Sequence, residues 1–237
     1  MSQHPPFRPF ETLIDEQTAL AILRAATDGA EDGELFLERR RSEVLVFDDG
    51  RVRTASYDAA EGFGLRAVKG EVAGYAHSTE ISEASLRRAS ETTRLAVGAG
   101  GGVLADAPMG TNRHLYTDAD PMAGAEFGVK LSMLAEIDAY ARALDPRVVQ
   151  VSASLAASHQ EVEILRPEGT RVRDVRPMVR LNVSISAEEN GRRESGSAGG
   201  GGRIGLTSLM ERTHWEGLVH EALRIAVVNL GSVSAPA

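Results

Sequence analysis

The sequence predicts an α+β fold built from a duplicated unit, in which an antiparallel sheet is flanked by helices. Three observations lead to this prediction. Segments with helical spacing of apolar residues alternate with strand-like segments, and the same order of elements occurs twice. In addition, the segment SEVLVFDDGRVR at 42–53 can be aligned with QEVEILRPEGTRVR at 160–173. The offset of about 120 residues is too long for a solenoid repeat and indicates a duplicated unit.

The first half opens with a proline-rich stretch, residues 1–11, which we expect to form a flexible N-terminal arm. A first unit over residues 12–100 follows. Its residues 15–28 carry apolar side chains at helical spacing and precede Gly29, a common residue after a helix. This pattern predicts the first helix.

Strand-like alternation comes next in the first unit. It surrounds an Asp-Gly pair at 49–50 and a Lys-Gly pair at 69–70, both of which are typical of turns. These signals predict two hairpins and therefore about four strands. Ser82 is a suitable N-cap for a second helix, which we expect to end near Gly98.

Residues 101–121 are rich in Gly, Ala, Asp and Pro, a composition typical of a connector. They separate the first unit from a second unit over residues 122–237. In the second unit, apolar residues from 127 to 144 step by three and four positions, which predicts an amphipathic helix that stops at the Asp-Pro pair at 145–146.

The remainder of the second unit shows strand alternation around two further turn signals, Glu-Gly at 168–169 and Asn-Gly at 190–191. A last helix is predicted near the end of the sequence. We expect its apolar face to consist of Leu218, Ala222, Ile225 and Val228.

Composition excludes several classes of function. The 237 residues are 42% hydrophobic and 25% charged, as in ordinary globular proteins. The net charge of −8 would repel a phosphate backbone, so we expect no nucleic-acid partner. The sequence has no cysteine, which rules out disulfides, thiol catalysis and thiolate metal sites in it. It also has no apolar run of membrane-spanning length and no signal-peptide pattern at its start, so we expect a cytoplasmic protein that does not contact a membrane.

Catalytic and metal-binding motifs are weak. His220-Glu221 resembles the start of a zinc-binding HExxH motif, but the position that needs the second histidine is Arg224. His214 is six positions before His220 and would point elsewhere on a helix. We therefore assign neither a catalytic residue nor a metal ligand.

The run of glycines at 199–202 is the remaining candidate. We expect it to form a flexible loop in which the backbone could approach a ligand or a partner closely. The residues that we expect to face a substrate or a partner are Arg193, Glu194, Gly201 and Arg203.

Two long stretches carry a family resemblance. The stretch ELFLERRRSEVLVFDDGRVRTASYDAAEGFGLRAVKGEVAGYAHS at 34–78 resembles the N-terminal region of the TldD/PmbA family, and in particular its TldD-like branch. The stretch RPEGTRVRDVRPMVRLNVSISAEENGRRESGSAGGGGR at 166–203 resembles the second sheet region of that family. Members of the family, once labelled modulators of DNA gyrase, are regarded as metalloproteases. The match extends over nearly the whole sequence.

The resemblance implies a zinc-dependent peptidase subunit that forms a homodimer or heterodimer with a related subunit and cuts peptides or unfolded proteins in an enclosed chamber. The family's HExxxH zinc segment and its cysteine ligand are not in this sequence, since position 225, where HExxxH needs a histidine after His220-Glu221, is Ile. No zinc ligand is therefore carried over to any residue here. We expect this region to supply the chamber wall and the partner interface, and to be inactive alone.

Three hypotheses remain open at the level of sequence. The chain is the N-terminal portion of a TldD-like zinc metalloprotease, with zinc held elsewhere in the full-length protein. Alternatively, it is a stand-alone binding or regulatory module that pairs with a full-length family member without catalysis. The third hypothesis is a self-sufficient hydrolase that uses His220 and nearby acids.

Overall fold

A computed structural model describes residues 5–98 and 115–233 of the chain. Each half contains three strands that lie between helices. The elements of the first half are α1 (Pro9–Thr12), α2 (Glu16–Ala26), β1 (Asp32–Asp48), β2 (Arg51–Lys69), β3 (Val72–Ser78) and α3 (Glu83–Val97). Those of the second half are a 3₁₀ turn (Pro121–Gly124), α4 (Phe127–Leu144), β4 (Val148–Leu165), β5 (Arg171–Glu189), β6 (Arg192–Gly202), α5 (Thr207–Met210) and α6 (Arg212–Leu230).

In the described parts of the chain, the strands form one antiparallel sheet of six strands in the order β3-β2-β1-β4-β5-β6. The two halves meet at its centre, where β1 pairs with β4 from Leu35 opposite Leu165 to Asp48 opposite Ser152. Helices flank this sheet, and the predicted α+β class is confirmed. The predicted connector, residues 101–121, lies mostly outside the described residues.

The strand count predicted for the first half is wrong. β2 runs unbroken over nineteen residues and pairs with β1 from Arg51 to Val68, with one bulge at Arg53, so the described part of the first half has three strands rather than four. The stretch between the two expected hairpins, residues 55–61, is exposed on both faces. Such a strand needs no alternation of apolar and polar residues, and its sequence therefore gives no strand signal.

Turns and helix caps follow the sequence signals closely. Asp49 and Asn190 adopt left-handed backbone conformations, with φ of 50° and 52°, in the tight turns that precede β2 and β6. The carboxylate of Asp15 accepts a hydrogen bond of 2.8 Å from the backbone N–H of Thr18 and caps α2. Ser82 caps α3 as predicted.

Two apolar cores lie on the same side of the sheet. The first core lies where α2 and α3 cover the first half of the sheet. The second core lies where α4 and α6 cover the second half. The first core includes Leu23, Leu35, Leu37, Phe63, Leu65 and Leu86. The second includes Leu134, Ile137, Leu155, Leu181, Trp215 and Val219.

The predicted apolar face of the last helix is only partly correct. Ala222 is fully buried, but Val228 is 59% exposed. The helix carries a second apolar stripe, one position away, and it is this stripe that packs on the sheet because it includes the bulky Trp215. Its buried residues are Trp215, Val219, Ala222, Ala226 and Leu230.

The described part of the expected N-terminal arm packs against the rest of the protein. Phe7 and Phe10 are 3% and 8% exposed, and both belong to the first core. The backbone N–H of Phe7 donates a hydrogen bond of 2.8 Å to Glu161 on β4. The segment therefore contacts both halves of the sheet.

A band of charged side chains separates the two cores, on the helix side of β1 and β4. Arg39 pairs with Glu161 at 2.8 Å, and Lys130 of α4, only 2% exposed, pairs with Glu43 of β1 at 2.7 Å. Other members of this band are Arg41, His159, Asp120, Glu163 and Arg171. These pairs link the first half of the chain to the second.

None of the helices in the described ranges combines the length and the apolar character that a bilayer span requires.

Candidate functional site on the outer half of the sheet

Apolar and polar side chains alternate along β4, β5 and β6, so this part of the sheet has one apolar face and one polar face. Residues such as Leu155 and Leu181 point towards α4 and α6, so their neighbours in sequence point the other way. On that opposite side the strands carry mainly small hydroxyl side chains, which we call the serine face. It comprises Ser152, Ser154, Ser184, Ser186, Ser195 and Ser197, together with Arg180 and Asn182.

The serine face contains a shallow depression of about 370 Å³. Arg180 and Asn182 lie at its base on β5, where the Arg180 Nε donates a hydrogen bond of 2.8 Å to the Asn182 Oδ1. On one side it is bordered by the serines of β4, and on the other by Ser197 and Gly199 of β6. The depression therefore offers hydroxyl, amide and guanidinium groups to a ligand.

The glycine run is not a loop, which corrects our expectation. Residues 199–202 form the end of β6 and pair with β5, with Gly199 opposite Asn182. A Cβ on Gly199 would lie 2.2 Å from the Asn182 Oδ1, and one on Gly201 would lie 2.1 Å from the Val179 carbonyl oxygen. Glycine is thus required at position 201, where the obstacle is the backbone of β5, whereas at position 199 the obstacle is a side-chain oxygen.

A further glycine of the same strand brings the helix layer close to the sheet. A Cβ on Gly196 would lie 2.2 Å from the Ala222 carbonyl oxygen and 2.5 Å from the Ala226 nitrogen, both in α6. This contact fixes α6 against β6, which is an edge strand of the sheet. The edge is thus held by its own helix, and within residues 5–98 and 115–233 no strand pairs with its outer side.

The structure places the four candidate residues at the two ends of β6. Arg193 donates a hydrogen bond of 2.6 Å to Gln150, and Glu194 accepts one of 3.0 Å from Arg192. Gly201 and Arg203 lie roughly 25 Å away along the strand. The guanidinium of Arg203 stacks on the ring of Tyr116 at 4.8 Å. The four residues border one edge but do not form a single cluster.

His220 and Glu221 are engaged separately on α6. The His220 Nε2 lies 3.0 Å from the Tyr140 hydroxyl, and Glu221 forms two hydrogen bonds with Arg224. The hydrogen bonds from Arg224 hold the pKa of Glu221 below its usual range. Within residues 5–98 and 115–233, no group of three or more His, Cys, Asp or Glu side chains could hold a metal ion. The described residues therefore do not fit zinc.

Sequence reasoning missed the serine face and the buried charges. The serine face does carry a signal, because serine occupies alternate positions next to buried Val151 and Ala153 in the stretch VSASLAAS. The sequence around Lys130 does not indicate that this side chain is buried, since a lysine in an amphipathic helix is usually exposed. Its burial depends on Glu43, which is distant in sequence.

Comparison with family models identifies both halves of the chain. Residues 33–97 match the model described as PmbA/TldA metallopeptidase domain 1, and residues 122–230 match the PmbA/TldA metallopeptidase central domain. The chain belongs to the PmbA/TldD metallopeptidase family.

Curated members of the PmbA/TldD family extend well beyond this chain. A metalloprotease TldD homolog of Haemophilus influenzae is 36% identical over 211 residues, which are 86% of this chain and 44% of the relative. One from Buchnera aphidicola is 29% identical over 231 residues, or 93% of this chain and 47% of the relative. The chain thus spans about half the length of the relatives that it matches.

Solved structures share the fold of this PmbA/TldD chain. A protein from Bacteroides thetaiotaomicron described as a modulator of DNA gyrase superposes with a TM-score of 0.70 at 16% identity, over 93% of this chain and 51% of that one. TldE from Thermococcus kodakarensis superposes with a TM-score of 0.69 at 15% identity, over 89% of this chain and 47% of that one.

Proposed function

We propose that this chain forms the N-terminal, non-catalytic part of a TldD-like zinc metallopeptidase that degrades or processes unfolded peptides. The observation that carries the proposal is the pattern of coverage. Relatives named as metalloprotease TldD homologs match 86% and 93% of this chain, but the chain spans only 44% and 47% of their length. In this proposal the zinc and the cleavage chemistry belong to the other half of the longer protein.

The serine face would form part of the wall of the substrate chamber. Its hydroxyl and amide groups can exchange hydrogen bonds with peptide backbones, and it has few of the apolar side chains that would hold an unfolded substrate tightly. Such a wall would tolerate substrates of many sequences.

The β6 edge would supply the substrate-facing or partner-facing positions, namely Arg193, Glu194, Gly201 and Arg203. An edge strand can pair with an extended peptide through main-chain hydrogen bonds, which makes the contact largely independent of sequence. TldE, a protein of similar fold, supports a second family subunit as the partner.

The test begins with the endogenous protein, recovered from its source with an antibody against this chain. We expect an intact mass well above 25.3 kDa, bound zinc, and hydrolysis of unfolded peptides that a chelator abolishes. A mass of 25.3 kDa without hydrolysis would contradict the proposal and favour a stand-alone module that pairs with a full-length family member.

The role of the β6 edge is tested in the same full-length protein. Arg193→Ala combined with Glu194→Ala should lower kcat/KM for an unfolded peptide or weaken binding of the partner subunit. Arg87→Ala, on an exposed part of α3, is the matched control and should change neither. Unchanged turnover and unchanged partner binding in the β6 variant would remove this edge from the proposed function.

A further inference from the structure

Arg180 and Asn182, at the base of the depression in the serine face, form an oriented pair. The Arg180 Nε donates a hydrogen bond of 2.8 Å to the Asn182 Oδ1. A guanidinium has no acceptor, so the amide oxygen faces Arg180 and the amide NH2 group points away from it. With Nε occupied, the edge formed by the two Nη nitrogens remains. Among the described residues, these nitrogens form neither a hydrogen bond nor an ion pair.

Small residues on both neighbouring strands make room for this pair. Gly199 of β6 lies opposite Asn182, and Gly201 lies opposite Arg180. A Cβ on Gly199 would lie 2.2 Å from the Asn182 Oδ1, so the amide occupies the space that another side chain would take. On the other flank, Ala156 of β4 lies opposite Arg180. The guanidinium is therefore exposed on the outer side of the sheet.

The lining of the depression is rich in hydrogen-bond donors and contains no carboxylate. Four serine hydroxyls, the amide of Asn182 and the guanidinium of Arg180 line it, together with Val183, Ala198 and Gly199. Hydroxyl, amide and guanidinium groups can all donate. The depression therefore suits a ligand that accepts hydrogen bonds and carries negative charge.

The acidic residue nearest to this part of β4 is already engaged. Asp48 of β1 lies opposite Ser152 and on the same side of the sheet. Its carboxylate accepts a hydrogen bond of 3.2 Å from Gln150 and lies 3.8 Å from the guanidinium of Arg53. Arg180 pairs with β4 four residues further along, roughly 13 Å away. Asp48 therefore does not neutralise Arg180.

The number of cations in the depression indicates the kind of anion. A carboxylate has a single charge and can accept two parallel hydrogen bonds from the free edge of one guanidinium. A phosphate monoester carries about 1.5 to 2 negative charges at pH 7 and would meet only one cation here. The neutral donors beside Arg180 match the carbonyl oxygens of a chain attached to the carboxylate.

We propose that the depression in the serine face binds a carboxylate group of a peptide, with Arg180 as its cation and Asn182 as a neighbouring donor. The inference rests on the peptidase role proposed above, for which it names the substrate class as peptides that present a carboxylate. That group belongs to the C-terminus or to an acidic side chain. The test measures binding to this chain without hydrolysis, so the two proposals can fail separately.

NMR titration of the isotope-labelled chain with N-acetyl-trialanine tests the binding. We expect saturable shifts at the backbone amides of Ser154, Ser184 and Ser197, which line the depression. The C-terminal amide of the same peptide lacks the charge and should bind at least about tenfold more weakly. An amidated peptide with glutamate as its middle residue carries its carboxylate in a side chain. Its affinity relative to N-acetyl-trialanine distinguishes the two sources of the carboxylate.

A charge variant tests the role assigned to the arginine. Arg180→Gln keeps a side chain that can donate hydrogen bonds but removes the charge, and it should weaken binding of N-acetyl-trialanine at least about tenfold. Arg40→Gln is the matched control. Arg40 is exposed on the same side of the sheet but lies outside the depression, so binding should be unchanged. Far-UV circular dichroism checks that each variant folds.

A glycine variant tests the orientation of the amide. In Gly199→Ala the new methyl group overlaps the end of the Asn182 side chain, which can move aside while the strand stays paired. We expect a folded chain that binds N-acetyl-trialanine several times more weakly. Gly202→Ala, where a Cβ would meet nothing within 4 Å, should bind as the unchanged chain does.

Four results would overturn the proposal. The first is the absence of saturable shifts at the lining amides with any of the peptides. The second is equal affinity for N-acetyl-trialanine and its amide together with no preference for the glutamate peptide. The third is an equal effect of Arg180→Gln and Arg40→Gln. The fourth is tighter binding of inorganic phosphate than of either peptide carboxylate, which would identify a general anion site.

Discussion

The ammonium of Lys130 lies 2.7 Å from the carboxylate of Glu43, and this ion pair joins helix α4 of the second half to strand β1 of the first. The Lys130 Nζ also donates a hydrogen bond of 3.0 Å to the Met122 carbonyl oxygen. A lysine that is 2% exposed has exchanged its hydration for these two acceptors. The pair therefore fixes α4 at the join between the halves.

Replacing the buried ammonium of Lys130 should strongly lower the free energy of unfolding. Lys130→Met keeps much of the side-chain volume but leaves Glu43 without its partner, so we expect the free energy of unfolding to fall by about 3–5 kcal/mol. Lys69→Met, at the half-buried end of β2, is the control and should change it by less than about 1 kcal/mol. Denaturant titration measures both values. An equal effect in the two variants would show that the Lys130 pair does not hold the halves together.

The acid sensitivity of the fold should depend on Glu161. Burial alone would raise the pKa of this carboxyl, but the hydrogen bonds from the Phe7 N–H and from Arg39 outweigh burial and lower it below its usual 4.5. A lowered pKa in the folded state contributes stability above the unfolded value, and this is lost as the pH falls through the folded value.

Glu161→Gln should therefore reduce the free energy of unfolding at pH 7 by about 1–3 kcal/mol. It should also make that free energy fall less steeply below about pH 4.5. Unfolding titrations from pH 7 to pH 3 check both effects. The control is Glu188→Gln at the exposed end of β5, and a parallel pH profile for the two variants would contradict the role assigned to Glu161.

The contact between β6 and α6 requires a glycine at position 196. Gly196→Ala should lower the free energy of unfolding by about 1–3 kcal/mol, since the new methyl group would overlap backbone atoms of α6. Gly202→Ala lies on the same strand, where a Cβ would meet nothing within 4 Å, and it should be nearly neutral. Thermal unfolding of the two variants provides the comparison, and equal melting temperatures would argue against close packing at Gly196.

The N-cap of α2 gives a prediction for a single side chain. Asp15→Ala removes the acceptor for the backbone and hydroxyl groups of Thr18, and we expect the free energy of unfolding to fall. Asp15→Asn retains an acceptor oxygen and should recover most of that loss. If asparagine were as damaging as alanine in chemical denaturation, the charge of Asp15 rather than its cap would be the stabilising feature.

The sequence was most informative where local chemistry determines structure. Ser82, the Asp-Gly turn at 49–50 and the Asp-Pro stop at 145–146 each act on their nearest neighbours, and each was placed correctly. The antiparallel sheet followed from alternation, because one face of most strands is buried by helices. The middle of β2 lacks such cover, and its continuity could not be predicted.

Features that depend on distant pairing were missed. In isolation the glycine run is typical of a loop, and only the position of Gly201 beside the Val179 carbonyl oxygen of β5 explains why a side chain is excluded at that residue. Burial of Lys130 depends in the same way on Glu43, 87 residues away. The candidate residues at the β6 edge remain a prediction, since their role depends on molecules outside this chain.

The central pairing of β1 with β4 has a consequence for synthesis. Asp48 lies opposite Ser152 and Leu35 opposite Leu165, so β1 must wait for partner residues that are made more than 100 positions later. At about 5–20 residues per second, the ribosome needs roughly 5–26 s to supply them. During that interval a newly made β1 exposes one side of its backbone to solvent, and nascent chains on the same messenger could mispair there. The rate of translation from the end of β1 to the end of β4 therefore sets how long this chain is vulnerable to aggregation.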